Sequence, residues 1–209
     1  MPRESSLPPN PPPPPPPAAP PAQDPPNHHP QPQEQKDQHQ HQQHPPGAKP
    51  WLGPAPRVEP KGVYLFIWDT GAKGKFHWGL FVAQSESSGV LFHQLPIGKY
   101  WQLLKAHEDV LTSEGLLAGL KVGELDDIGA EWLAAVEVCI RAATVDPRTG
   151  LSCRSWALAA LYELANGGFI WLDPEWPKIR IVEEEALRLA HDALAVGMQI
   201  ISQSQLTGP

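Results

Sequence analysis

Phe76-His77-Trp78-Gly79-Leu80-Phe81-Val82 and, after a polar loop from Ser85 to Gly89, Val90-Leu91-Phe92-His93-Gln94-Leu95 decide how this chain is read. Both runs are aromatic, aliphatic and β-branched, the residue types that fit a pleated, half-buried surface. Val63-Tyr64-Leu65-Phe66-Ile67-Trp68 is a third run of the same kind, and it ends at the turn residues Asp69-Thr70-Gly71. The connections between these runs span 5–7 residues. A crossover helix needs more chain than that, so the three strands are expected as an antiparallel meander.

Working outward, residues 99–105 and 116–122 read as further strands, with Ser113-Glu114 making a brief turn between them. The spacing of Ile128, Trp132, Leu133, Val136 and Cys139/Ile140 predicts a helix, started by the acids Asp126 and Asp127. Asp146 to Gly150 is a loop. Ser152 then caps a helix from Cys153 to Ala165, which Asn166-Gly167-Gly168 stops. Pro174 and Pro177 predict an irregular stretch, followed by a last helix from about Val182 to Val196 whose first turn holds Glu183-Glu184-Glu185. Strands first and helices after them predict an α+β domain, an antiparallel β-meander packed against the Cys153 helix.

The foldable length is shorter than the 209 residues of the chain. Residues 1–60 hold 22 of the 27 prolines, five of the nine histidines and eight glutamines. Their only bulky apolar residues are Leu7, Trp51, Leu52 and Val58, too little apolar surface to offset the entropy of ordering the backbone. A disordered tail over 1–60 and one domain over 61–209 are therefore expected. The seven prolines Pro11 to Pro17 favour polyproline II, a form that an aromatic-lined groove of a partner recognises. A plain spacer is the simpler reading of that tail. His28, His29, His39, His41 and His44 are too loosely held to make a persuasive metal site.

Charge and cysteine use narrow the function classes. The net charge is −7, of which residues 61–209 carry −6, and no Lys/Arg cluster interrupts the acidic balance. Nucleic acid and anionic membranes are thus poor partners. Two cysteines cannot build a disulfide scaffold. Neither a signal-peptide pattern nor an apolar run of about 18 residues is present. These features predict an intracellular, cytoplasmic protein without a membrane span.

Cys153 is the first candidate for chemistry. In the first turn of a capped helix, free backbone N–H groups favour thiolate and are expected to lower the thiol pKa. Cys139 lies within an apolar helical stripe and reads as a small core residue. His77 and His93 lie on neighbouring strands, where one ring can take a proton from a thiol while the other orients it. His107 and His191 read as surface groups. Gly71-Ala72-Lys73-Gly74-Lys75 lacks the order of a phosphate loop and reads as a hairpin turn. Zinc held by Cys153, His77 and His93 has no paired-cysteine spacing behind it, so neither a metal nor a cofactor is expected.

The motifs His77-Trp78-Gly79-Leu80-Phe81-Val82, Val90-Leu91-Phe92-His93 and Ser152-Cys153-Arg154-Ser155-Trp156 resemble those of the permuted papain-like cysteine enzymes, including the lecithin:retinol acyltransferase-like and NlpC/P60-related groups. The layout is also similar to that of fungal proteins with a His-Trp motif followed by a Cys-x-x-Trp helix. The resemblance covers about residues 63–165. It implies Cys153 as nucleophile, His77 as general base and His93 as the orienting third residue, acting on an amide, ester or thioester. The substrate would be a small molecule, peptide or acyl donor. Relatives often carry Asn before the cysteine and Glu-His after it, where this chain has Ser152 and Arg154-Ser155. That departure keeps a second reading open, a non-catalytic member of the same fold serving as a protein-interaction module.

Overall fold

The computed structural model describes residues 57–207. The readings placed on the proline run, the histidine-rich segment and Trp51-Leu52 lie outside the described residues. Residues 57–60, assigned above to the tail, already pack. Val58 is buried, and the Glu59 N–H donates to the Tyr64 hydroxyl at 2.7 Å.

The domain is α+β, with a mixed six-stranded sheet packed against helices. In chain order it runs β1 (Gly62–Asp69), β2 (Phe76–Ala83), β3 (Ser88–Ile97), β4 (Tyr100–Asp109), β5 (Leu116–Glu124), α1 (Ala130–Ala142), α2 (Cys153–Asn166), α3 (Trp176–Val196) and β6 (Ile200–Gln203). The sheet order is β4-β3-β2-β1-β5-β6. The expected meander is correct for β1 to β4, and β5 returns antiparallel beside β1. The purely antiparallel expectation fails at β6, which pairs parallel with β5. That strand has only four residues, too few to display an alternating pattern.

Alternation sorts the strands onto two faces. Leu65, Ile67, Trp78, Leu80 and Phe92 meet α2 and α3 in the larger core. Tyr64, Phe66, Trp68, Phe81 and Leu91 form a second core on the reverse face, with Val58, Val110 and Leu116. Trp68 Nε1–H donates to Ser113 Oγ at 2.9 Å, so the buried indole is satisfied. Phe66 stacks on Phe81 with centroids 4.6 Å apart and planes 12° apart. Its two cross-strand partners are Gly79 on β2 and Gly119 on β5. At Gly119 a Cβ would lie 2.6 Å from the Phe66 ring and 2.6 Å from Ile201, so only glycine admits the ring there.

α1 and α3 differ from expectation at their starts. The Asp127 carboxylate accepts the N–H groups of Ile128 and Gly129, and α1 begins immediately after this turn. α3 begins at Trp176, six residues before the expected start. Pro177 sits in its first turn, where no N–H is required and a fixed φ suits the helix. The acids Glu183-Glu184-Glu185 therefore lie inside α3, and Glu183 and Glu185 are buried. Ser204 Oγ donates to Glu185 at 2.6 Å, and two arginines hold Glu183. Among the described residues, no helix is long and apolar enough to cross a membrane.

Candidate active site

Ser152 caps α2 as expected, through a box whose second half was not expected. The Ser155 N–H donates to Ser152 Oγ at 3.1 Å, and the Ser152 N–H donates to Ser155 Oγ at 2.9 Å. The reciprocal bonds fix the first turn, which presents Cys153 toward the sheet. Trp156, Ala157, Ala160, Leu161 and Leu164 bury the same helix face, so the cysteine stands on a rigid element.

The sulfur meets β2 where β2 and β3 separate. Their pairing runs from Ala83↔Gly89 to Gly79↔His93 and stops there. In this register the even-numbered residues exchange the hydrogen bonds, as Gln84 N–H to Ser88 carbonyl at 2.9 Å illustrates. Continuation would set Trp78 against Gln94 and Phe76 against Pro96. Proline has no N–H, so the Phe76 carbonyl has no donor on β3. Cys153 occupies that gap. Its Sγ–H donates to the Phe76 carbonyl at 3.9 Å, and the nearby Trp78 N–H favours its thiolate form.

The two backbone groups that hold the sulfur flank His77. The His77 ring lies on the reverse face of β2, beside Trp68 at a centroid distance of 5.6 Å. His77 Nε2 and His93 Nδ1 are 2.8 Å apart and share one hydrogen bond. Gly79, the cross-strand partner of His93, makes this approach close. A Cβ at Gly79 would lie 3.2 Å from that of His93 and 2.9 Å from Leu91 Cδ1. The fold thus brings the two histidines together and sets the Cys153 sulfur against the His77 main chain. Among the described residues, no hydrogen bond joins the sulfur to either ring.

Burial sets the charge states. His77 is lowered to about 4, first by desolvation and then by repulsion from a charged His93. Desolvation lowers His93 as well. The expectation of a lowered Cys153 pKa is not met. Burial raises it, outweighing the N–H groups of Trp78, Arg154 and Cys153 that favour thiolate. The resting site is neutral thiol and neutral imidazole. Cys139 is half-buried against the larger core, and burial followed by the Glu163 charge raises its pKa.

The histidine shift gives stability a definite pH dependence. An unfolded histidine takes up a proton near 6.5, whereas folded His77 holds none until about 4. Folding stability is therefore complete above pH 6.5 and falls as pH drops through that interval. The loss levels off below about 4, once both states are protonated. At about 1.4 kcal/mol per pH unit, the fall reaches about 3 kcal/mol. Urea melts at several pH values should give a clearly flatter acid limb for His77→Leu than for the parent. Parallel limbs would contradict a neutral buried His77.

Sequence reasoning missed two neighbours of the site, Pro96 and Gln94, and read His191 correctly as a surface group without its contact. Pro96 opens the gap, and its signal was a proline inside a strand pattern. Gln94, which alternates with Phe92 toward the helix face, has a buried Oε1 with no hydrogen-bond partner among the described residues. The His191 ring on α3 meets Phe76 edge-on at 5.3 Å, while its side chain stays exposed. His107 is exposed, as expected. Among the described residues, no group of three or more His, Cys, Asp or Glu is placed to hold a metal ion. No family model, curated protein or solved structure matches this chain.

Proposed function

We propose that the chain is a cysteine-dependent hydrolase or acyltransferase of the permuted papain-like type, with Cys153 as nucleophile, His77 as general base and His93 as the residue that orients it. The carrying observation is the 2.8 Å bond from His77 Nε2 to His93 Nδ1, on the strand whose Phe76 and Trp78 backbone cradles the sulfur. In the productive tautomer Nε2 of His77 donates to His93, which leaves Nδ1 of His77 as the proton acceptor.

Because both groups rest neutral, the proton moves with the attack. As Sγ bonds to the carbonyl carbon of an amide, ester or thioester, the thiol proton passes to His77, whose ring must first turn from the reverse face of β2 toward the sulfur, and the carbonyl π pair moves to oxygen. The Cys153 and Arg154 N–H groups, which the capping box leaves unused, stabilise that oxyanion. Collapse of the intermediate expels the leaving group, which takes the proton from His77, and leaves an acyl group on Cys153. Water regenerates the thiol by hydrolysis, or an acceptor takes the acyl group.

Two observations favour the alternative, a non-catalytic member of this fold that binds other proteins: the His77 ring rests on the reverse face of β2 with no hydrogen bond to the sulfur among the described residues, and the thiol is not activated. Burial raises the Cys153 pKa instead of lowering it. Acylation by an activated aryl ester separates the two readings. The enzyme reading expects a mass increase confined to Cys153 and absent in Cys153→Ala. Equal labelling of Cys139 and Cys153, at the rate of an ordinary thiol, would leave the interaction module as the surviving reading.

A further inference from the structure

A cleft of about 990 Å³ runs along the side of α2 away from the sulfur. Cys153 shares the buried stripe of Trp156 and Ala157, whereas Ser155, Ala159 and Glu163 line this cleft. Trp176, Arg180 and Glu183 of α3 and the loop carrying Val145 and Pro147 complete it. The cleft is therefore a second site that does not depend on the chemistry proposed for Cys153.

Its two ends differ in charge. At the start of α2, Arg154 Nε donates to Glu183 Oε1 at 2.5 Å, and Arg180 donates to Glu183 Oε2 at 2.7 Å. The Glu183 side chain is only 4% exposed, while the two arginines are 49% and 51% exposed. One sealed carboxylate thus fixes two guanidinium groups and leaves a local charge of +1. Among the described residues no other acid holds their remaining N–H donors, which can meet a carboxylate, the partner that this fork geometry fits. Arg154 also lies over the Trp78 ring at 5.7 Å, which restrains it further.

At the other end Tyr162 and Trp176 stack at 5.2 Å with planes 11° apart. Beside them Glu163 has neither an ion pair nor a side-chain hydrogen bond among the described residues, and Arg148 already holds the remaining acid, Asp146. From Arg154 to Glu163 the helix rises about 13 Å. That length matches an extended peptide of about four residues.

We infer that the cleft binds a short peptide by its free C-terminus. The C-terminal carboxylate lies on Arg154 and Arg180, the apolar body on Pro147 and Leu158, and a cationic amine at Glu163 beside the aromatic pair. The opposed charges favour one direction of the chain, so the site discriminates peptide polarity as well as charge.

Calorimetry on the full chain with the tetrapeptide Ala-Ala-Ala-Leu, whose N-terminus is its only amine, tests this. The free acid is expected to bind about tenfold or more tightly than its C-terminal amide, the worth of one charge-assisted contact. Arg180→Gln should bring acid and amide together. Glu163→Gln, a near-isosteric change that removes only the charge, should weaken the free-amine peptide and leave the N-acetylated one unchanged. Cys153→Ala should bind as the parent does, which separates this result from the fate of the cysteine-enzyme reading. Equal affinity for acid and amide, no binding of either, or indifference of the free-amine peptide to Glu163→Gln would each overturn the inference. Competition by inorganic phosphate without any preference for peptide would overturn it too, by reducing the site to a simple anion contact.

Discussion

His77→Ala is expected to slow acylation of Cys153 by an activated ester about 10²–10⁴-fold, the usual worth of a positioned general base. The size follows from the neutral resting site. Burial keeps the thiol protonated and His77 unprotonated, so little thiolate is available without a proton acceptor. His93→Ala should cost less, because it removes the partner of His77 Nε2 and leaves the base itself in place. The pH profile adds a readout that mere structural damage would not reproduce. With His77 near 4, the parent rate should hold down to about pH 5 and fall below it, whereas the residual rate of His77→Ala should climb with hydroxide. Acylation rates within about threefold of the parent, with an unchanged pH profile, would remove His77 from the mechanism.

Phe66→Ala is expected to destabilise the domain by about 3–5 kcal/mol, a large part of the ~5–15 kcal/mol typical of a single domain. Phe66 is fully buried and stacked on Phe81, and the neighbouring positions Gly79 and Gly119 carry no side chain to fill the space it would leave. The cavity would persist for that reason, which places the cost toward the upper part of the range. Urea unfolding measures it as a lowered midpoint at constant slope. A loss below about 1 kcal/mol would mean that Tyr64, Trp68 and Phe81 collapse into the gap. The same change also tests the site from below, since the Phe66 layer supports the strand that carries His77.

Much of the fold was legible because local chemistry and tertiary demand agreed. Val63 to Trp68, Phe76 to Val82 and Val90 to Leu95 are apolar runs bounded by turns, and each became a strand. Ser152 before Cys153, and Gly167-Gly168 after Asn166, bounded α2 almost to the residue. Local cues misled where a residue serves two purposes. Pro177 in the sequence predicts an irregular stretch, yet in the first turn of α3 proline is compatible with the helix. Glu183 to Glu185 looked like a helix start because acids are common there, whereas Glu183 and Glu185 are buried partners of arginines and of Ser204. β6 was too short to be seen.

The candidate site divides in the same way. By itself the sequence determined that His77 and His93 lie on adjacent strands and that Cys153 opens a capped helix, because strand alternation and helix capping are local properties. Only the tertiary structure decided where the sulfur rests. The β2–β3 pairing ends at His93, and Pro96 offers no N–H opposite Phe76, so the gap beside the Phe76 carbonyl receives the thiol. Burial also reversed the expected direction of the Cys153 pKa, because desolvation of a thiolate outweighs the N–H groups at the helix start. A charge state depends on everything packed around the group, and that packing exists only once distant segments have met.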